Sequence, residues 1–143
     1  MHHFTAGRFQ NLVSGTALNV IQFALGTGKT AGGKIHFFVD AETATGTAIC
    51  VYDREVVFAG LDDGSTGSPG KQVAVTLLGS NNSCTSGDSI AVAWTGTIAS
   101  AQGSLSVKST ITGFTPAVHH VYYDIDYFGI NDPTYLANPV SVN

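Results

Sequence analysis

Residues 33–61 read GKIHFFVDAETATGTAICVYDREVVFAGL, two runs of strand-forming residues either side of a small polar turn. Ile35, Phe37 and Val39 fall on one face of the first run and Lys34, His36, Phe38 and Asp40 on the other, the period of two that a pleated strand imposes. The second run sets Cys50, Tyr52, Arg54, Val56 and Phe58 against Ile49, Val51, Asp53, Glu55 and Val57. Residues 41–46 form the turn, so the stretch predicts a β-hairpin, and the rest of the chain has to supply the sheet around it.

Working outward, residues 16–25 carry Leu18, Val20, Ile21, Phe23 and Leu25 almost without interruption, as in a strand buried on both sides. Residues 26–33 turn the chain into the hairpin. After it, residues 62–70, DDGSTGSPG, are a loop, because nearly every residue type in them favours a turn. Residues 72–78 form the next strand with Val73, Val75 and Leu77 inward, and residues 79–87, GSNNSCTSG, read as a second polar loop. Strands follow at 88–95, with the lone Trp94 at the edge of the core, at 105–112 with one wet face, and at 118–128, VHHVYYDIDYF. His119 and His120 are neighbours and therefore point to opposite faces. Seven to eight strands with no helical period predict an all-β fold, an antiparallel β-sandwich or jelly roll. The expected organisation is an N-terminal arm over 1–15, one domain over 16–129 and an extended C-terminal arm over 130–143, where Pro133 and Pro139 break regular structure.

A chain of 143 residues supports one core. Hydrophobic residues at 43% exclude disorder, while charged residues at 11% fall well below the ~25% usual in soluble domains. Polarity comes instead from small uncharged side chains, a composition suited to surfaces covered by other protein. A net charge of −4 with only six Lys and Arg, scattered, argues against nucleic-acid binding. No stretch approaches the ~20 apolar residues of a membrane helix, and the first residues lack the apolar run of a secretory signal, so the expectation is no membrane partner and no classical export. Cys50 and Cys84 could pair in principle, but one sits in a strand and the other in a polar loop. Two free thiols, made in a reducing cytoplasm, are the expectation.

Motifs for chemistry are incomplete. Gly28, Lys29 and Thr30 resemble the end of a phosphate-binding loop, yet Phe23 stands where its first glycine belongs. Asp124, Asp126 and Gly129 resemble the start of a calcium loop, but Phe128 and Tyr135 occupy positions that need oxygen ligands. Asp124 and Asp126 share a strand face with His120 and Tyr122, a group that a solvated strand explains as simply as a cation or acid/base site. No strained Gly-x-Ser-x-Gly elbow is present. The expectation is therefore no catalytic residue, no metal, no cofactor and no enzyme. Arg54, between Asp53 and Glu55, is the strand residue best suited to an ion pair between strands or subunits.

GTALNVIQFAL at 15–25, the run at 32–60 and QVAVTLLGSN at 72–81 together resemble small β-sandwich proteins of tailed-phage virions, among them the decoration or cement proteins of the capsid. The resemblance covers roughly residues 14–112 and rests on strand rhythm and composition. It implies a structural virion protein, made in the bacterial cytoplasm, that forms a homo-oligomer, often a trimer, and binds the major capsid protein. On that reading Phe4, Arg8, Phe9, Arg54, Tyr135 and Leu136 are the partner-binding candidates, most of them in the arms. The rival reading is a carbohydrate- or receptor-binding head of a phage fibre, or a lectin-like module, with Trp94 and Tyr122 stacking on sugar and Asn82 bonding to its hydroxyls.

Overall fold

A computed structural model describes the backbone of residues 2–9, 12–129, 131 and 133–135, and the side chains of these residues except 2–9, 80 and 135. The strands are β1 (His2–Phe9), β2 (Ala17–Ala24), β3 (Lys29–Glu42), β4 (Ile49–Asp62), β5 (Lys71–Cys84), β6 (Ser89–Ala99), β7 (Gln102–Thr112), β8 (Val118–Phe128) and β9 (Thr134–Tyr135). They form a five-stranded sheet in the order β1-β8-β3-β4-β5 and a four-stranded sheet in the order β6-β7-β2-β9, every pairing antiparallel. The all-β sandwich expected from strand rhythm is the fold found. β1 beside β8 and β2 beside β7 are the nested outer pairs of a rolled-up hairpin, while β3, β4 and β5 continue as a meander within one sheet.

The hairpin of β3 and β4 pairs from Lys29–Asp62 to Glu42–Ile49, with Ile35 opposite Val56 and Phe37 opposite Arg54. Ile35, Phe37, Val39, Val56 and Phe58 are buried and Lys34 and His36 exposed, as the alternation requires. Each such buried side chain contributes about 1.5–3 kcal/mol relative to exposure. Facing them from the second sheet are Val20, Ile21, Phe23, Leu105, Val107 and Trp94. Two aromatic groups fill the space between the sheets: Phe23, Phe58 and Tyr127, with ring centroids 5.7–6.5 Å apart, and Phe37 with Tyr52 and Trp94.

Four expectations need correction. The near-continuous apolar run of β2 reflects a β-bulge rather than burial on both faces. Pairing with β7 slips between Asn19 and Ile21, which lets Val20 and Ile21 both turn inward. Residues 29–33 belong to β3 and not to a turn. A Cβ on Gly33 would stand only 2.0 Å from the Asp126 carbonyl oxygen, so glycine here lets β8 pack close rather than bending the chain.

The supposed polar loop at 79–87 is strand as far as Cys84. β5 absorbs two residues, Gly79 and Ser80, opposite Arg54 alone and then resumes pairing at Asn81–Asp53, with Gly79 at φ +83°. Cys84 thereby lies directly opposite Cys50, and the two form a disulfide instead of free thiols. Within the stretches expected as arms, the backbone of residues 2–9 pairs with β8 along its whole length and residues 134–135 pair with β2.

Residues 12–16 carry the chain from one sheet to the other. Leu12 N donates to the His119 carbonyl of β8, and Gly15 N to the Ser109 carbonyl of β7. Along the opposite side, edge strands β5 and β6 meet at Val73 and Gly96, where a Cβ on the glycine would lie 2.6 Å from the Val73 carbonyl oxygen.

Candidate functional site

The two outer faces of the sandwich differ in kind. On the five-stranded sheet the outward positions of β3, β4 and β8 include Asp40, Glu42, Asp53, Glu55, Asp124 and Asp126, that is, six of the ten carboxylates in the chain. On the four-stranded sheet the outward positions of β2, β6 and β7 hold Ala, Ser, Thr, Asn and Gln, and Lys108 is the one charged side chain among the described residues there.

The charged face is centred on His36. It stands opposite Glu55 on one side and Asp124 on the other. Its Nε2 lies 2.6 Å from Asp53 Oδ1 and its Nδ1 3.8 Å from Asp124 Oδ2, while Lys34 Nζ lies 3.8 Å from Glu55 Oε1. These groups are roughly half exposed, so each ion pair contributes little to stability, about 0–1 kcal/mol. With both ring nitrogens turned toward carboxylates, the imidazole is committed within the protein. Among the described residues no group of three His, Cys, Asp or Glu side chains is arranged to hold a metal ion.

Next to His36 the β5 bulge opens a shallow depression of about 290 Å3, lined by His36, Asp53, Arg54, Glu55, Leu78, Gly79 and Asn81. Arg54 forms its inner wall with the guanidinium 4.3 Å from the centre of the Tyr52 ring. Burial raises the Tyr52 phenol above its ordinary range, and the neighbouring Arg54 charge opposes that rise. Arg54 is half-buried, turned toward the core side of β4, and not a free outward cation.

The sequence-derived candidates are dispersed. Trp94 is only 8% exposed and sits edge-on to Phe37 at 5.2 Å, so its ring faces are not available to a sugar; this corrects its assignment to a glycan platform. Tyr122 is half-buried on the charged face beside Phe38, and Asn82 is exposed at the β5 edge opposite Tyr52. The structure does not bring these three together. The side chains of Phe4, Arg8, Phe9 and Tyr135, and all of Leu136, lie outside the described residues; the backbone register places Arg8 opposite Tyr122 and Phe4 opposite Asp126. Sequence reading missed the depression because it arises from a bulge. The glycine that interrupts the alternating run at position 79 was its available signal.

No family model matches the chain, and no curated protein does. Two solved structures align with the chain at low similarity. The tailspike protein of Acinetobacter baumannii phage AM24 is 13% identical with a TM-score of 0.41, over 94% of this chain and 28% of that one. The tailspike protein of Acinetobacter phage vB_ApiP_P1 is 15% identical with a TM-score of 0.34, over 94% of this chain and 22% of that one. The chain thus spans about a quarter of the length of these structures.

Proposed function

We propose that this chain is a non-enzymatic structural module of a phage particle, a decoration protein that packs against copies of itself and against the major capsid protein. The observation that carries the reading is the uncharged outer face of the four-stranded sheet, where small Ala, Ser and Thr side chains surround a single Lys108. Such a face exposes little that must be desolvated at high cost. Flat protein surfaces of this composition are suited to association, since depletion of charge is what marks the centre of an interface. The resemblance of residues 14–112 to small phage β-sandwich proteins supports the same reading. The homo-oligomer, taken as a trimer, and the virion location belong to this proposal.

The test is the protein's copy number and position in purified particles, together with its mass in solution by light scattering. Hundreds of copies spread over the shell, and a Thr110→Arg variant that stays folded but loses both self-association and shell occupancy, are expected. A few copies confined to the tail would overturn the reading in favour of a receptor-binding head. Full occupancy by the Thr110→Arg protein would dissociate the function from this face.

A further inference from the structure

We infer that the depression beside the β5 bulge is a binding site for a neutral saccharide ring, distinct from the uncharged face on which the proposed assembly rests. Its volume, about 290 Å3, lies at the small end of the ~300–1,000 Å3 range of ligand pockets and suits one ring with its substituents in the open. Its polar lining is made of flat groups that can each engage two adjacent hydroxyls. The carboxylates of Asp53 and Glu55 accept, and the Asn81 amide both donates and accepts.

Charge decides the class of ligand. Two carboxylates line the depression, and each already has a partner on the same face, Asp53 in His36 and Glu55 in Lys34, while the Arg54 guanidinium lies on the core side over Tyr52. An anionic ligand such as a phosphate would meet the like charge of Asp53 and Glu55. For a simple cation, His36, Asp53 and Glu55 line the depression, but among the described residues no three His, Cys, Asp or Glu side chains are arranged to hold a metal ion. A neutral molecule rich in hydroxyls satisfies donors and acceptors alike.

The lining has an apolar part as well. Leu78 is 45% exposed in the same depression, directly opposite Glu55, and offers a surface for the C–H face of a ring. Gly79 keeps the rim open: it adopts φ +83°, and nothing lies within 4 Å of where a Cβ would stand. The bulge therefore both turns Asn81 onto this face and leaves room above it.

The test is titration of the intact protein with glucose, galactose and N-acetylglucosamine, followed by amide chemical shifts, with glucosamine and glucuronate as cationic and anionic controls. At least one neutral sugar should give saturable shifts at Gly79 and Asn81 with a Kd on the order of 1 mM, as one open site with few contacts implies. Leu78→Ser and Asn81→Ala, both at exposed positions where the fold is retained, should each weaken it by about tenfold. The absence of saturable shifts with every neutral sugar, binding of a charged control alone, or unchanged affinity in both variants would overturn the inference.

Discussion

His119 of β8 and Ser109 of β7 are both buried, and they join the two sheets through a 2.8 Å contact between Nε2 and Oγ. His119 Nδ1 is buried too, in the end of the core nearest residues 12–16, beside the Leu12 backbone. Burial lowers its pKa below the ordinary histidine value, the adjacent His120 adds to this, and the Leu12 backbone and Asp40 oppose it.

Because the folded protein resists protonating His119 while the unfolded chain does not, stability is complete above about pH 6.5 and is lost as pH falls from there through the folded value. Urea unfolding at a series of pH values should show this decline. His119→Gln, whose amide can still donate to Ser109, should flatten it between neutral and mildly acidic pH. An unchanged slope in the variant would assign the decline elsewhere. Asp63, whose carboxyl is held low by its bonds to Ser65, adds to the decline only at more acidic pH, since the stability it contributes is present above its ordinary carboxylate range and is lost as pH falls from there through its folded value.

Replacing Ser109 with Ala leaves His119 Nε2 buried without a partner. The expected loss is about 1–3 kcal/mol, measured by denaturant unfolding at neutral pH, with the midpoint changed and the slope unchanged. Ser106→Ala on the outer face of the same strand, where the serine bonds to exposed Asn19, should cost less than half as much.

The Cys50–Cys84 bond closes a sequence separation of 34 residues between β4 and the edge strand β5. Loop-closure entropy puts its contribution near 4 kcal/mol. Thermal melts in a strong reductant, or of Cys84→Ala, should therefore show a clear fall in Tm, and reductant should have no further effect on the variant. Indistinguishable melts with and without reductant would count against the bond in solution.

The hairpin between β6 and β7 turns on Ser100 and Ala101, at φ 50° and 63°, a left-handed pair with no glycine. Two-residue hairpins favour Asn-Gly here because a Cβ is strained at positive φ. Ala101→Gly should raise stability by about 0.5–1 kcal/mol. Gly33→Ala should do the reverse, costing on the order of 1–3 kcal/mol, since its Cβ has the β8 backbone in its way. Comparing the unfolding midpoints of the two variants checks both signs.

Where side chains alternate strongly the sequence is legible: the hairpin and the aromatic strand at 118–128 fall where the period of two places them. It is opaque where pairing rests on backbone alone. Residues 81–84 are polar because they lie on an edge strand with one side in water, so nothing in their composition separates them from a loop. The disulfide follows from that hidden register and not from spacing. His36, Asp53 and Asp124 come from three strands, and only the sheet order makes them neighbours. Trp94 is ambiguous for the opposite reason: aromatic character fits a ligand platform and a core equally, and burial against Phe37 favours the core position that the strand rhythm gives it over the rival sugar-stacking role.

The unequal sharing of charge between the two sheets gives the molecule an electric polarity across its thin dimension. The carboxylates of β3, β4 and β8 make one side the negative pole, and the other carries only Lys108 among its described side chains. Near any negatively charged surface the field would rotate the molecule before contact, presenting the four-stranded sheet and keeping the depression turned outward. That orienting torque acts over about 8 Å at physiological ionic strength and fades in concentrated salt.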